Sequence, residues 1–205
     1  MEFTFPFDTC ERASNGIAQP FSTAVNALNC AAILYFLIQS ETARSRILLF
    51  TLFAFEAFHT FSHAVHLPGN VQHNTAHLLA YCINAAFLNF FADITHRMPS
   101  TNLLVVLLGL IGLDLYCFMY LPIVAYMGTQ AAMFLSTYFF YYKFLPVRFQ
   151  KGFLWLVALS STILLLVWNE INNCDAMLEW WVAPYHIMIE FVGLAMFVFI
   201  GFLFQ

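Results

Sequence analysis

Seven histidines among 205 residues hold the chain's first chemistry, because six of them stand near acids, a serine or each other. Glu56, His59, Ser62, His63 and His66 crowd one stretch, His73 and His77 lie four apart, and His186 stands four before Glu190. At about 100° per residue, Ser62, His66 and His59 fall within about 60° on one helical face, and His63 and Glu56 extend the stripe. Neutral imidazole with carboxylate suits zinc, and three protein ligands with one open position form the catalytic arrangement. A lone histidine at a helix end more often shares a hydrogen bond with water or lipid, and His63, His73 and His96 read that way. His66 and His186 read together as metal ligands, with either Glu190 or His77 as the third. His59 stays open between the two readings, and Glu56 and Asp114 read as deeper hydrogen-bonders.

The elements that must position these groups are membrane spans. The chain is 62% hydrophobic, 19% aromatic and 9% charged, with a mean hydropathy of +0.78. Soluble domains carry roughly 25% charged residues, so a soluble enzyme and a disordered tail are excluded. A nucleic-acid binder is excluded too, since the 7 Lys and Arg form no patch. A crossing needs about 20 apolar residues, and seven stretches qualify: Ser22–Ile38, Arg46–Val65, Thr75–Phe91, Leu103–Tyr120, Ile123–Tyr142, Gly152–Trp168 and Pro184–Phe204. Turn chemistry separates them at Leu67-Pro68-Gly69-Asn70, Met98-Pro99-Ser100 and Asn172-Asn173. The expected fold is all-α, a single seven-transmembrane bundle over residues 1–205 with residues 1–20 as an outer N-terminal segment. No cleaved signal peptide is read, because Glu2, Asp8 and Glu11 stand where a basic region would be.

Six cationic residues choose the orientation. Arg44, Arg46, Arg97, Lys143, Arg148 and Lys151 all lie in the first, third and fifth connections, with Arg12 the exception. Cationic loops stay cytosolic, which puts the N-terminus in the lumen or exterior and Gln205 in the cytosol. The acidic stretch Glu170–Glu179 then joins the N-terminal segment as an outer loop. His66, His77, His186 and Glu190 reach a common depth near the outer face. Cys10 and Cys174 share that side, where a secretory-pathway compartment is oxidising. Either they form a bridge that pins the N-terminal segment before the last span, or they are two free thiols.

These residues resemble the alkaline ceramidase family, within the wider CREST group of seven-span membrane metallohydrolases. Asp8-Thr9-Cys10-Glu11 is similar to the family's Asp-x-Cys-Glu segment, and Ile17–Asn26 to the segment that opens its first span. Ser62 and His66 match its Ser-x-x-x-His, and Asn172–Asp175 its Asn-x-x-Cys-Asp at a variant spacing. His186 to Glu190 matches the His-x-x-x-His opening of the last span, with glutamate replacing the second histidine. Where the family has an aspartate early in span three, this chain has His77. The resemblance implies calcium near the N-terminus, held by a thinned set of Asp8, Glu11, Asn15 and Gln19.

The implied chemistry is zinc-dependent hydrolysis of the amide bond in ceramide or another N-acyl lipid. A bound zinc activates water near neutral pH. Ser62 would stabilise the oxyanion, and His77 would handle the proton. The carboxylate-for-imidazole exchange lowers the site's charge, so an altered substrate or pH optimum is expected. The expected setting is a multi-pass protein of the endoplasmic reticulum, Golgi or plasma membrane, with a membrane lipid as partner and no nucleic acid. Two alternatives stand beside it. One is a catalytically altered relative that binds lipid without cleaving it. The other is a di-iron lipid hydroxylase, although such enzymes use about eight histidines and this chain has 7.

Overall fold

The computed structural model describes residues 10–205 except 12, 66, 68, 122 and 181–183. Its α-helices, in chain order, are α1 (Pro20–Gln39), α2 (Ala43–Ala64), α3 (Gly69–Thr95), α4 (Thr101–Tyr120), α5 (Ile123–Tyr141), α6 (Val147–Trp180) and α7 (His186–Phe204). A short 3-10 turn at Tyr142–Phe144 joins α5 to α6. Among the described residues the backbone forms no strand, only one isolated bridge between Ser14 and Ile17. Among the described residues, six helices (α1–α4, α6 and α7) are long and apolar enough to cross a membrane, which is the architecture of a multi-pass membrane protein.

The helix starts follow from their sequences. Pro20 opens α1, where a missing N–H costs nothing. Thr42 caps α2 by accepting from Ser45 N at 3.2 Å, and Ser100 caps α4 by accepting from Leu103 N at 3.2 Å. The cap of α1 comes from further away. The Glu11 carboxylate accepts from Phe21 N at 2.5 Å and Ser22 N at 3.1 Å, and also from the Ser22 hydroxyl.

The largest difference from expectation is α6. It runs 34 residues, about 51 Å at 1.5 Å per residue, well beyond a hydrocarbon core of about 30 Å. The expected turn at Asn172-Asn173 and the whole of the expected acidic loop Glu170–Glu179 are therefore helical. The asparagines fit because each donates back along its own helix, Asn172 to Trp168 O at 2.7 Å and Asn173 to Asn169 Oδ1 at 2.8 Å.

The helices form a ring. α1 packs on α2, α2 on α3, α3 on α5, α5 on α6, α6 on α7, and α7 returns to α1. α4 stands outside the ring against α5. One end of the ring is packed with aromatic rings. There the Phe204 ring lies 5.0 Å from Phe90 and 5.2 Å from Phe149, and Tyr138 donates to Phe149 O at 2.6 Å. α1 and α7 cross so closely near this end that a Cβ on Gly201 would lie 2.0 Å from the Phe36 ring. The cationic connections gather at the same end: Arg44 pairs with Asp93 at 2.5 Å, Tyr141 donates to Arg97 O, and the Arg97 guanidinium lies 3.9 Å over Phe144.

The opposite end holds the N-terminal segment. A disulfide joins Cys10 to Cys174, with Cα atoms 5.4 Å apart. Ala18 N and Gln19 N donate to Ala64 O and His63 O, which fastens the segment across the last turn of α2.

Candidate metal centre

The polar residues of α2, α6 and α7 converge beside this fastened segment. Glu190 lies one turn into α7 and is 3% exposed. Its Oε1 faces three imidazole nitrogens: His186 Nε2 at 2.8 Å, His63 Nε2 at 3.2 Å and His59 Nε2 at 3.9 Å. The Nε2 atoms of His59 and His63 lie 3.0 Å from each other. They face one point because His59 and His63 are i and i+4 on α2, the spacing that also stacks His186 under Glu190 on α7.

Each ring is held from behind. His59 Nδ1 faces Glu56 Oε2 at 3.4 Å, and Glu56 in turn accepts from Asn29 Nδ2 at 2.8 Å. His63 Nδ1 bonds Gln19 Oε1, and His186 Nδ1 bonds Glu170 Oε2 at 2.8 Å. The second oxygen of Glu170 accepts from Cys10 N at 2.9 Å, next to the disulfide. For His59 and His63, an oxygen that accepts from Nδ1–H keeps the proton on that nitrogen and leaves the Nε2 lone pair facing inward. This is the outer-shell pattern of metal-binding histidines.

The donor set fits a metal ion. His59, His63 and Glu190 offer ligand atoms all within 4.8 Å of one another. A tetrahedral zinc with bonds of about 2.0–2.1 Å requires ligand-to-ligand edges of about 3.3 Å, and the three separations bracket that length. His186 bridges Glu170 and Glu190, so it orients the carboxylate from outside the triad.

The sequence-expected residues divide between this centre and other places. His186 and Glu190 meet in it. His66 and Asp8 lie outside the described residues. His77, expected to serve here as ligand or proton carrier, has Nε2 bonded to Asp114 Oδ2 in a separate buried cluster of α3, α4 and α5. Ser62 is buried, and its hydroxyl donates to Phe58 O at 3.0 Å in its own helix rather than into the centre. The described members of the expected calcium set are engaged otherwise. Glu11 caps α1, Gln19 orients His63, and Asn15 is exposed in a left-handed turn with φ 53°.

Sequence reasoning missed two members and undervalued a third. His63, expected at the lipid–water interface, is 0% exposed. Glu170, expected in an outer loop, is buried on the extended α6. His59 was balanced between the two readings. The available signal was the matched i, i+4 pairs, His59/His63 and His186/Glu190, which on separate helices can close on one point.

The centre opens on an apolar space inside the ring. A cavity of about 240 Å³ is lined by Glu56, His59, His186 and Glu190 with Phe55, Ile163 and Met196. A second cavity, of about 220 Å³, continues from it and shares Phe55, Met127, Ile163, Met196 and Phe197. No family model, curated protein or solved structure matches this chain.

Proposed function

We propose that this chain is a metal-dependent membrane hydrolase that cuts the amide bond of ceramide or a related N-acyl lipid. The observation that carries this reading is the convergence of His59, His63 and Glu190, with each imidazole backed by its own oxygen acceptor. Two histidines and a glutamate are a catalytic zinc ligand set. Zinc bound there supplies Lewis acidity and a water activated at neutral pH.

The chain's own residues do the rest. Gln19 and Glu56 fix the two ligand rings. Glu170 holds His186 against Glu190, and His186 lines the cavity wall. His186 is therefore the group placed to pass a proton to the departing amine. Water adds across the C–N bond, and the products are a fatty acid and an amine. The apolar walls accept the acyl chain and keep bulk water out. The resemblance to alkaline ceramidases supports the amide as the bond that is cut.

The same reading proposes seven spans, with α5 crossing too, the N-terminus on the lumenal or outer side, and Gln205 in the cytosol. The gathering of the cationic connections at the end away from the centre supports this orientation. The Cys10–Cys174 bridge supports an oxidising compartment for the centre's side.

The test uses purified protein in nanodiscs with a ceramide, a second N-acyl lipid and an ester of the same chain length. The expected result is release of fatty acid from at least one amide, lost on chelation, restored by zinc, and absent in His63→Ala and Glu190→Gln. No amide cleavage by the zinc-loaded wild type, or cleavage that survives both substitutions, contradicts the reading.

A further inference from the structure

The inner cavity carries a buried amide pair that hydrolysis does not use. Asn84 on α3 donates through Nδ2 to Gln130 Oε1 on α5 at 2.8 Å and to Ala80 O at 3.2 Å. The remaining atoms of the pair, Asn84 Oδ1 and Gln130 Nε2, are buried without a partner. Gln130 is 7% exposed, and both residues line a cavity whose wall is apolar apart from them and Ser160, with Leu52, Ile83, Phe87 and Phe134 among its members. The Ala80 carbonyl requires the Asn84 nitrogen on that side, which fixes the amide orientation and leaves one free acceptor beside one free donor. Buried polar atoms in native proteins are nearly always satisfied, so an unsatisfied pair on an apolar wall points to a ligand group.

A hydroxyl is that group, because it donates once and accepts as well. Its position along the ligand follows from the two cavities. They share Met196, which lies six residues beyond Glu190 on α7, about 9 Å at 1.5 Å per residue. A lipid whose amide sits at the metal centre therefore meets the pair well down its chain, not beside the amide. We propose that the Asn84–Gln130 pair is a subsite for a hydroxyl carried midway along the acyl chain of the bound N-acyl lipid. This inference rests on the proposed function for the placement of the amide.

The experiment measures binding to the full chain in nanodiscs under chelation, so that no turnover occurs. The probes are long-chain N-acyl amino alcohols of one length, either unsubstituted or with a single hydroxyl next to the amide, at mid-chain or at the chain end. The wild type is expected to bind the mid-chain isomer about ten-fold more tightly than the unsubstituted chain, a difference of about 1.4 kcal/mol. Asn84→Leu/Gln130→Leu is expected to lose that preference and to bind the plain chain at least as well. Melting of each variant is followed alongside, and the wild-type positional series decides the matter if the double variant does not fold. Equal binding of all isomers by the wild type, as when a buried water satisfies the pair, overturns the proposal. So does a mid-chain preference that survives in a folded double variant. The same probes in zinc-loaded protein separate the two ideas. Mid-chain selectivity without hydrolysis removes the hydrolase and leaves the subsite, and hydrolysis without selectivity does the reverse.

Discussion

Two buried acids in this bundle have opposite surroundings. Asp114, the one carboxylate of α4, accepts from Tyr81 Oη at 2.6 Å and Thr129 Oγ1 at 2.5 Å and is bonded to His77 Nε2. The His77 ring is stacked on Phe118 at 4.1 Å. None of these polar residues lines either internal cavity. Glu190 instead has three inward imidazole nitrogens around one oxygen, and it does line a cavity. The Asp114 network closes on itself and fastens the outlying α4 to α3 and α5, whereas the Glu190 group leaves ligand atoms aimed at a shared point. A buried acid saturated by hydroxyl donors holds helices together. One that stands with two imidazole nitrogens within 4.8 Å offers a ligand set that could hold a cation, which is the basis of the proposed function.

Substitutions sharpen that contrast. The largest expected effect is from Glu190→Gln, which removes a ligand charge and lowers hydrolysis by at least ~100-fold, the upper end seen for outer-shell partners. Its thermal melt should stay near the wild type's. Asp114→Asn turns an amide nitrogen toward a donor, and a loss of about 2 kcal/mol in stability is expected. Metal content and activity per folded molecule should be unchanged there, as measured by melting alongside elemental analysis. Glu170→Gln weakens the acceptor behind His186 and is expected to lower metal affinity by about ten-fold, read by chelator competition. The smallest effect is expected from Cys10→Ser/Cys174→Ser. It loosens the segment that donates to Glu170, so metal affinity should fall less than in Glu170→Gln, with the Asp114 cluster untouched.

The helices were legible because apolar length is a local property. The far end of α6 was not, because Asn172 and Asn173 read as turn-formers until their side chains are seen bonding back along the helix. His186 and Glu190 announced themselves by spacing. His63 did not, since a single helix cannot say whether a histidine near its end faces water or the bundle. Asp114 is a deep hydrogen-bonder, and its partner His77 stands with it rather than beside Glu190. The His73/His77 pair of α3 and the His186/Glu190 pair of α7 carry the same spacing, and only the packing order, with α4 outside the ring, separates them.

The most direct test is metal content. Protein purified without added chelator should hold about one zinc per chain, read by elemental analysis. His59→Ala/His63→Ala should hold none, while His77→Ala retains the wild-type amount. A wild type that binds no metal at micromolar zinc, or a double variant that keeps a full equivalent, would contradict the account.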